Sequence, residues 1–182
     1  MFIQTELTPN PSTLKFIPGE LVLGMSTANF TSKDAAAESP LALALFDTQN
    51  VTGVFLGSDF ISVTKAEGCD WESIKTEILT AIMEHYVSEK PMMSDVKATV
   101  VDEDEDEIVK QIRELIDTRV RPSVAQDGGD IIFRGFEDGI VKLEMHGACS
   151  GCPSSAITLK NGIESMLKHY IPEIESVEAV EE

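Results

Sequence analysis

At 182 residues the chain has room for one large or two small domains, and a hydrophobic content of 42% is enough to bury a core. Its net charge of −18 is spread along the whole length: residues 1–102 carry 14 acids and 6 bases and residues 103–182 carry 18 acids and 8 bases, leaving −8 and −10. Neither part has the excess of Lys and Arg that a nucleic-acid backbone or an anionic membrane requires, and no run of about 18 apolar residues exists to span a bilayer.

In chain order, residues 1–7, 14–17 and 20–24 read as short strands, with Pro9, Pro11 and Pro18-Gly19 marking turns. Residues 40–46 form an apolar segment opened by Ser39-Pro40, which suits the first turn of a helix. Residues 51–56 and 60–65 are rich in β-branched and aromatic side chains, and Gly57-Ser58-Asp59 between them reads as a hairpin turn. A helix is predicted over residues 71–87, because Ile74, Ile78, Ala81, Ile82 and His85 fall on one face of a 3.6-residue period. No group of ligand-type or catalytic residues gathers in this half.

The predicted domains are residues 1–88 and 105–182, joined by an acidic linker over 89–104. The linker holds Pro91 and the first part of the run from Asp102 to Glu107, whose six like charges resist packing. The end of that run suits the first turn of the next helix, where the helix dipole favours negative charge.

Beyond the linker, Ile108, Ile112, Leu115 and Ile116 define an amphipathic helix that should end before Pro122. Two strands, 131–136 and 140–145, are joined by Glu137-Asp138-Gly139, and the second alternates Val141, Leu143 and Met145 with Lys142, Glu144 and His146. A helix should start at Pro153 and run to about Tyr170, with Ile157, Met166, Leu167 and Tyr170 as candidate buried positions. Pro172 stops it, and residues 174–180 can add a last strand. The fold class is therefore α+β, as two small domains, the second in the order α-β-β-α-β.

Between the second strand and the last helix lies Cys149-Ser150-Gly151-Cys152-Pro153, which holds two of the three cysteines. Unpaired backbone N–H groups and the dipole at a helix N-terminus stabilise thiolates, the form that binds iron or zinc. Three chemistries use such a pair: an iron–sulfur site completed by a second subunit, a thioredoxin-like dithiol, or a zinc site shared between subunits. A thioredoxin domain places its pair early, after the first strand of a βαβ unit, whereas here it follows a β-hairpin. A structural zinc site normally takes four ligands from one chain, and no second Cys or His pair is near. One chain offers two thiolates where a cluster takes four, so the simplest completions are two copies of the chain, or a partner or small thiol that completes the site. Three cysteines without a secretory signal point to a reducing compartment, and residues 1–6 lack the Arg-rich, acid-poor character of a transit peptide. A bacterial cytoplasm is thus expected ahead of a matured mitochondrial form.

The segment from Glu105 to Ala179 resembles the NifU C-terminal domain of the Nfu proteins. The resemblance rests on Val120-Arg121-Pro122, on Asp127 to Ile131, on Gly147 to Ser155 and on Thr158 to Glu164. The first part resembles the N-terminal domain of the same proteins through Thr8-Pro9-Asn10-Pro11, Asp59 to Lys65 and Trp71. The resemblance implies a non-enzymatic carrier or scaffold that binds a [4Fe–4S] cluster through Cys149 and Cys152 of two subunits. It further implies a homodimer when loaded, and transfer to apo iron–sulfur proteins downstream of other assembly proteins. Ligand count alone leaves [2Fe–2S] open, since both clusters take four thiolates.

Other residues have plainer readings. Gly128-Gly129 reads as a turn needing two left-handed positions rather than as a cluster contact. Asp127 and Asp130 read as turn or cap residues, and His85 and His169 as helix-end cap or surface groups. His146 lies three residues before Cys149 and is a candidate extra ligand that strand alternation turns away from the core. Cys69 reads as an ordinary thiol.

Overall fold

The computed structural model describes residues 2–94, 106–150 and 153–180. The chain divides into two compact units, residues 1–98 and 99–182.

The first unit contains strands β1 (Gln4–Leu7), β2 (Thr13–Ile17), β3 (Ala28–Phe30), β4 (Val51–Leu56) and β5 (Ile61–Lys65), with helices α1 (Pro40–Asp47) and α2 (Trp71–Val87). The five strands form one antiparallel sheet in the order β1-β2-β5-β4-β3. Leu14, Phe16, Val54, Leu56, Ile61 and Val63 of the sheet join Leu41, Leu45, Ile74, Ile78 and Ile82 of the helices in one continuous core. Ser39 caps α1 by accepting the Ala42 N–H at 3.2 Å, and Pro40 takes the first helical position, where its missing donor costs nothing.

Two expectations fail in this unit. Residues 20–24 form turns rather than a strand: the N–H groups of Val22 and Gly24 both donate to the Ser58 carbonyl, and Gly24 takes a φ of +63°. The strand lies instead at β3, where only three residues, Ala-Asn-Phe, pair and no alternation is long enough to see. His85 is not a surface group either. It is 5% exposed on the core face of α2, and burial first, then the charge of Lys90, pushes its imidazole below the ordinary pKa.

That burial sets a pH dependence. The folded imidazole holds a proton less tightly than the unfolded one, so protons favour unfolding. The stability it contributes is complete above about pH 6.5 and drains as pH falls below that, at up to about 1.4 kcal/mol per pH unit. Trp71 is the chain's single tryptophan and lies in this unit, so its fluorescence reports the unit's unfolding. Urea midpoints followed at Trp71 are expected to fall between pH 7.5 and 5.5 in the native chain and to fall much less in His85→Leu. An equal fall in both would remove His85 as the cause.

The second unit runs α3 (Glu107–Leu115), a π-helical turn (Ile116–Val120), α4 (Arg121–Gln126), β6 (Gly129–Glu137), β7 (Ile140–Gly147), α5 (Pro153–Tyr170) and β8 (Ser176–Val180). With the first helical segment counted as one, this is the expected α-β-β-α-β order. Residues 102–105 of the acidic run lie outside the described residues; Asp106 precedes α3 and Glu107 supplies its acidic first turn. β6 and β7 are antiparallel, joined at Asp138 (φ +51°) and Gly139 (φ +77°), the paired left-handed residues of a tight hairpin. β8 returns parallel to β7 through α5.

The helical segment does not end before Pro122. The Arg121 N–H reaches back to the Ile116 carbonyl, five residues away, and this widened turn lets the helix restart with Pro122 in the first turn of α4. A proline deep in an unbroken α-helix would strike the carbonyl four residues back.

Ile112, Ile116, Val120, Val124, Ile131, Val141, Leu143, Ile163 and Leu167 form the core of this unit. Ile157 and Tyr170 do not join it, at 63% and 47% exposed. Ile157 lies about 100° around α5 from the stripe of Ile163 and Leu167. Tyr170 ends the helix with the Arg119 guanidinium 5.1 Å from its ring centre.

Candidate functional site

β7 delivers the chain to Gly147, whose φ of +64° turns it out of the sheet. The turn closes with the Ser150 N–H donating to the Gly147 carbonyl at 3.1 Å. A second tether runs from the Ala148 N–H to the Gly128 carbonyl, also 3.1 Å, which fastens the cysteine turn to the α4–β6 connection. Cys149 rides on this turn, and α5 starts at Pro153 as the sequence predicts. Cys152 lies outside the described residues.

Cys149 does not face solvent. It is 6% exposed and belongs to the hydrophobic core of the second unit. Room for it comes from Gly129: a Cβ there would sit 2.5 Å from Cys149 Sγ and 2.8 Å from the His146 carbonyl oxygen. Only half of the expectation for Gly128-Gly129 holds. Gly128 has a φ of +80°, while Gly129 begins β6 without a left-handed backbone and is a glycine for space. Only the three-dimensional approach of β6 to the turn reveals that demand.

Asp130 is not a cap. Its side chain is 5% exposed and takes a two-pronged ion pair from Arg121, with Nε to Oδ1 and Nη2 to Oδ2 both at 2.8 Å. Oδ1 also accepts the Ile131 N–H. Asp130 raises the Arg121 pKa further. This pair joins the start of α4 to the strand that carries Gly129. Sequence reasoning misses it, although Val120-Arg121-Pro122 and Asp127 to Ile131 both carry the resemblance noted above: neither segment alone shows that they meet.

His146 leaves the hydrophobic core side, as the alternation implies, but it is buried all the same at 7% exposed. Its Nε2 is 2.5 Å from Glu144 Oε1, and the other Glu144 oxygen takes the Arg134 guanidinium. Burial pushes the Glu144 carboxyl up, but hydrogen bonds from Arg134 and His146 outweigh it and hold the group below the usual range. Its Nε2 is thus occupied by Glu144. Among the described residues no three His, Cys, Asp or Glu side chains gather as a metal cage. Cys69 lies in the first unit, half-buried, its thiol 3.6 Å from the Asp70 carbonyl.

A cysteine turn between a parallel strand and its crossover helix, in a small unit that follows another α+β unit in the chain, defines a two-domain protein of the NifU-like class. Residues 3–89 match the family described as scaffold protein Nfu/NifU N terminal, and residues 112–178 match the NifU-like domain. The chain belongs to the Nfu family of NifU-type scaffold proteins. Relatives named "NFU1 iron-sulfur cluster scaffold homolog, mitochondrial" include one from Drosophila sechellia, 53% identical over 99% of this chain and 65% of its own length. Another, from Drosophila virilis, is 53% identical over 99% of this chain and 62% of its own length. The chain thus spans just under two thirds of these relatives. A solution NMR structure of a NifU-like protein from Saccharomyces cerevisiae is 25% identical, with a TM-score of 0.46, over 53% of this chain and 87% of the other.

The expected bacterial cytoplasmic home is overturned by these relatives, which are mitochondrial by name. That expectation rested on the first six residues, and in a chain spanning 65% of its relative's length those residues say nothing about targeting.

Proposed function

We propose that this chain is a mitochondrial iron–sulfur scaffold that holds a [4Fe–4S] cluster between two copies of itself and passes it to apo iron–sulfur proteins. The observation that carries the reading is the placement of Cys149 on the turn that leads into α5, with Cys152 three residues on in sequence, in a NifU-like domain. Relatives over 99% of the chain are named as iron–sulfur cluster scaffolds. Two thiolates per chain leave a cluster two ligands short, and a second copy supplies them. The domain of residues 105–182 carries the cargo, and that of residues 1–88 recognises upstream assembly proteins and targets.

Transfer is ligand exchange. An iron–thiolate bond to Cys149 or Cys152 breaks as one to a target cysteine forms; the released thiolate takes up the proton that the incoming thiol gave up. No electron moves and no general base is needed. A site held by two residues per chain can be surrendered stepwise, which a cage of four from one chain resists.

Anaerobic reconstitution with iron and sulfide tests this reading on a single gel-filtration run. A dimer with broad visible absorbance and about four irons per pair of chains is expected. Cys69→Ser should load as well as the native chain. A colourless monomer would overturn the reading and favour dithiol chemistry.

A further inference from the structure

We infer that Gly129 is a positioning residue for Cys149: its missing side chain opens a slot that shelters the thiol, and so sets how readily the thiol is presented to iron. The inference rests on the reading of Cys149 as a cluster ligand and concerns how that ligand is kept before cargo arrives.

Three observations carry it. The place a Cβ would take on residue 129 lies 2.5 Å from Cys149 Sγ, so side chain and thiol compete for one volume. The Gly129 backbone is not left-handed, and Gly128, at φ +80°, makes the turn, so conformational freedom does not explain a glycine at 129. In the antiparallel register Gly129 lies opposite Gly147, where the chain leaves the sheet, so the rung beside the cysteine turn has no side chain on either strand.

A thiol buried to 6% exposure among core residues cannot reach iron shared with a second chain without turning outward. Sulfur must sit about 2.3 Å from a metal to ligate it. The turn is fastened by the Ala148–Gly128 and Ser150–Gly147 hydrogen bonds, which a movement of the turn would strain. Gly129 favours the sheltered state, in which the sulfur is guarded from oxidants and stray metals; a side chain there would favour the presented one.

Pulse alkylation of the iron-free full chain with iodoacetamide tests this, with each cysteine read by peptide mass spectrometry. Cys69, in the other unit, is the internal standard. Native Cys149 is expected to label about tenfold or more slowly than in the guanidinium-unfolded chain, as a site that reacts only through local opening. Gly129→Ala is expected to raise the Cys149 rate severalfold and leave Cys69 unchanged. Native Cys149 labelling as fast as in the unfolded chain overturns the inference; so does a folded Gly129→Ala chain with an unaltered Cys149 rate.

The His146 carbonyl oxygen would lie 2.8 Å from the same Cβ, so Gly129→Ala can weaken the unit for an unrelated reason. A double variant separates the two. If the slot is contested by sulfur, Cys149→Ala restores part of the stability lost in Gly129→Ala. Strict additivity would place the conflict at the backbone, the His146 carbonyl or the Cys149 nitrogen, and overturn the inference. No arm contains iron, so failure here and failure of cluster loading are separate results.

Discussion

Cys149→Ser is expected to stay colourless and monomeric after reconstitution, in a chain that still folds. A serine hydroxyl ionises far less readily than a thiol and is a poor ligand for iron, so a pair of variant chains presents two thiolates instead of four. Loss should be nearly complete, because a half-liganded cluster is open to solvent on one side. The effect on the fold is smaller. Cys149 is 6% exposed, and placing a hydroxyl in its slot costs about 1–3 kcal/mol. A typical domain is stable by about 5–15 kcal/mol, so the unit survives. Cys152→Ser should lose loading equally. Circular dichroism and a urea titration beside the absorbance spectrum separate lost ligation from lost structure. A coloured Cys149→Ser dimer would mean that the ligand lies elsewhere.

Arg121→Ala is expected to destabilise the second unit by about 3 kcal/mol, the penalty of stranding a buried carboxylate. Asp130 is 5% exposed on its side chain, and both of its oxygens are engaged by one planar guanidinium at 2.8 Å. Lysine cannot reproduce that fork, so Arg121→Lys should recover only part of the loss. The deficit should change little with added salt, since a pair buried on one side is poorly screened. Urea unfolding followed by circular dichroism, with Trp71 fluorescence reporting the first unit separately, measures it. Cluster loading should fall as well, because Asp130 adjoins Gly129 and lies opposite His146 in register. Stability within about 0.5 kcal/mol of the native chain would show the ion pair to be energetically idle.

Local signals in the sequence carry much of the fold. The bounds of α2 and the start of α5 follow from a periodic face and a proline, and the β6–β7 hairpin follows from Asp138-Gly139, which needs no distant partner. Features that depend on remote contacts are hidden. Residues 20–24 resemble a strand because their apolar residues are visible and the Ser58 carbonyl that captures their N–H groups is not. Pro122 resembles a stop because a π-helical turn has no sequence mark. His85 falls on the periodic face of α2, and only its polarity and its place near the helix end make it resemble a surface group.

The candidate site divides in the same way. The cysteine motif is contiguous and can be read directly. The Arg121–Asp130 pair and the space left by Gly129 are contacts across 9 and 20 positions of chain, and the burial of Cys149 belongs to the whole core, so no short motif displays them.

The bulge in β6 between Phe133 and Gly135 bears on whether the edge of this sheet can accept a further strand. β6 is one border of the three-stranded sheet, and the bulge breaks its outer row of hydrogen-bonding groups at Arg134. The other border, β8, is five residues long and carries the exposed Glu178. Irregularity on one side and a short, charged ribbon on the other are the means by which proteins discourage sideways sheet growth. A permanent backbone-to-backbone pairing of two chains is thereby disfavoured.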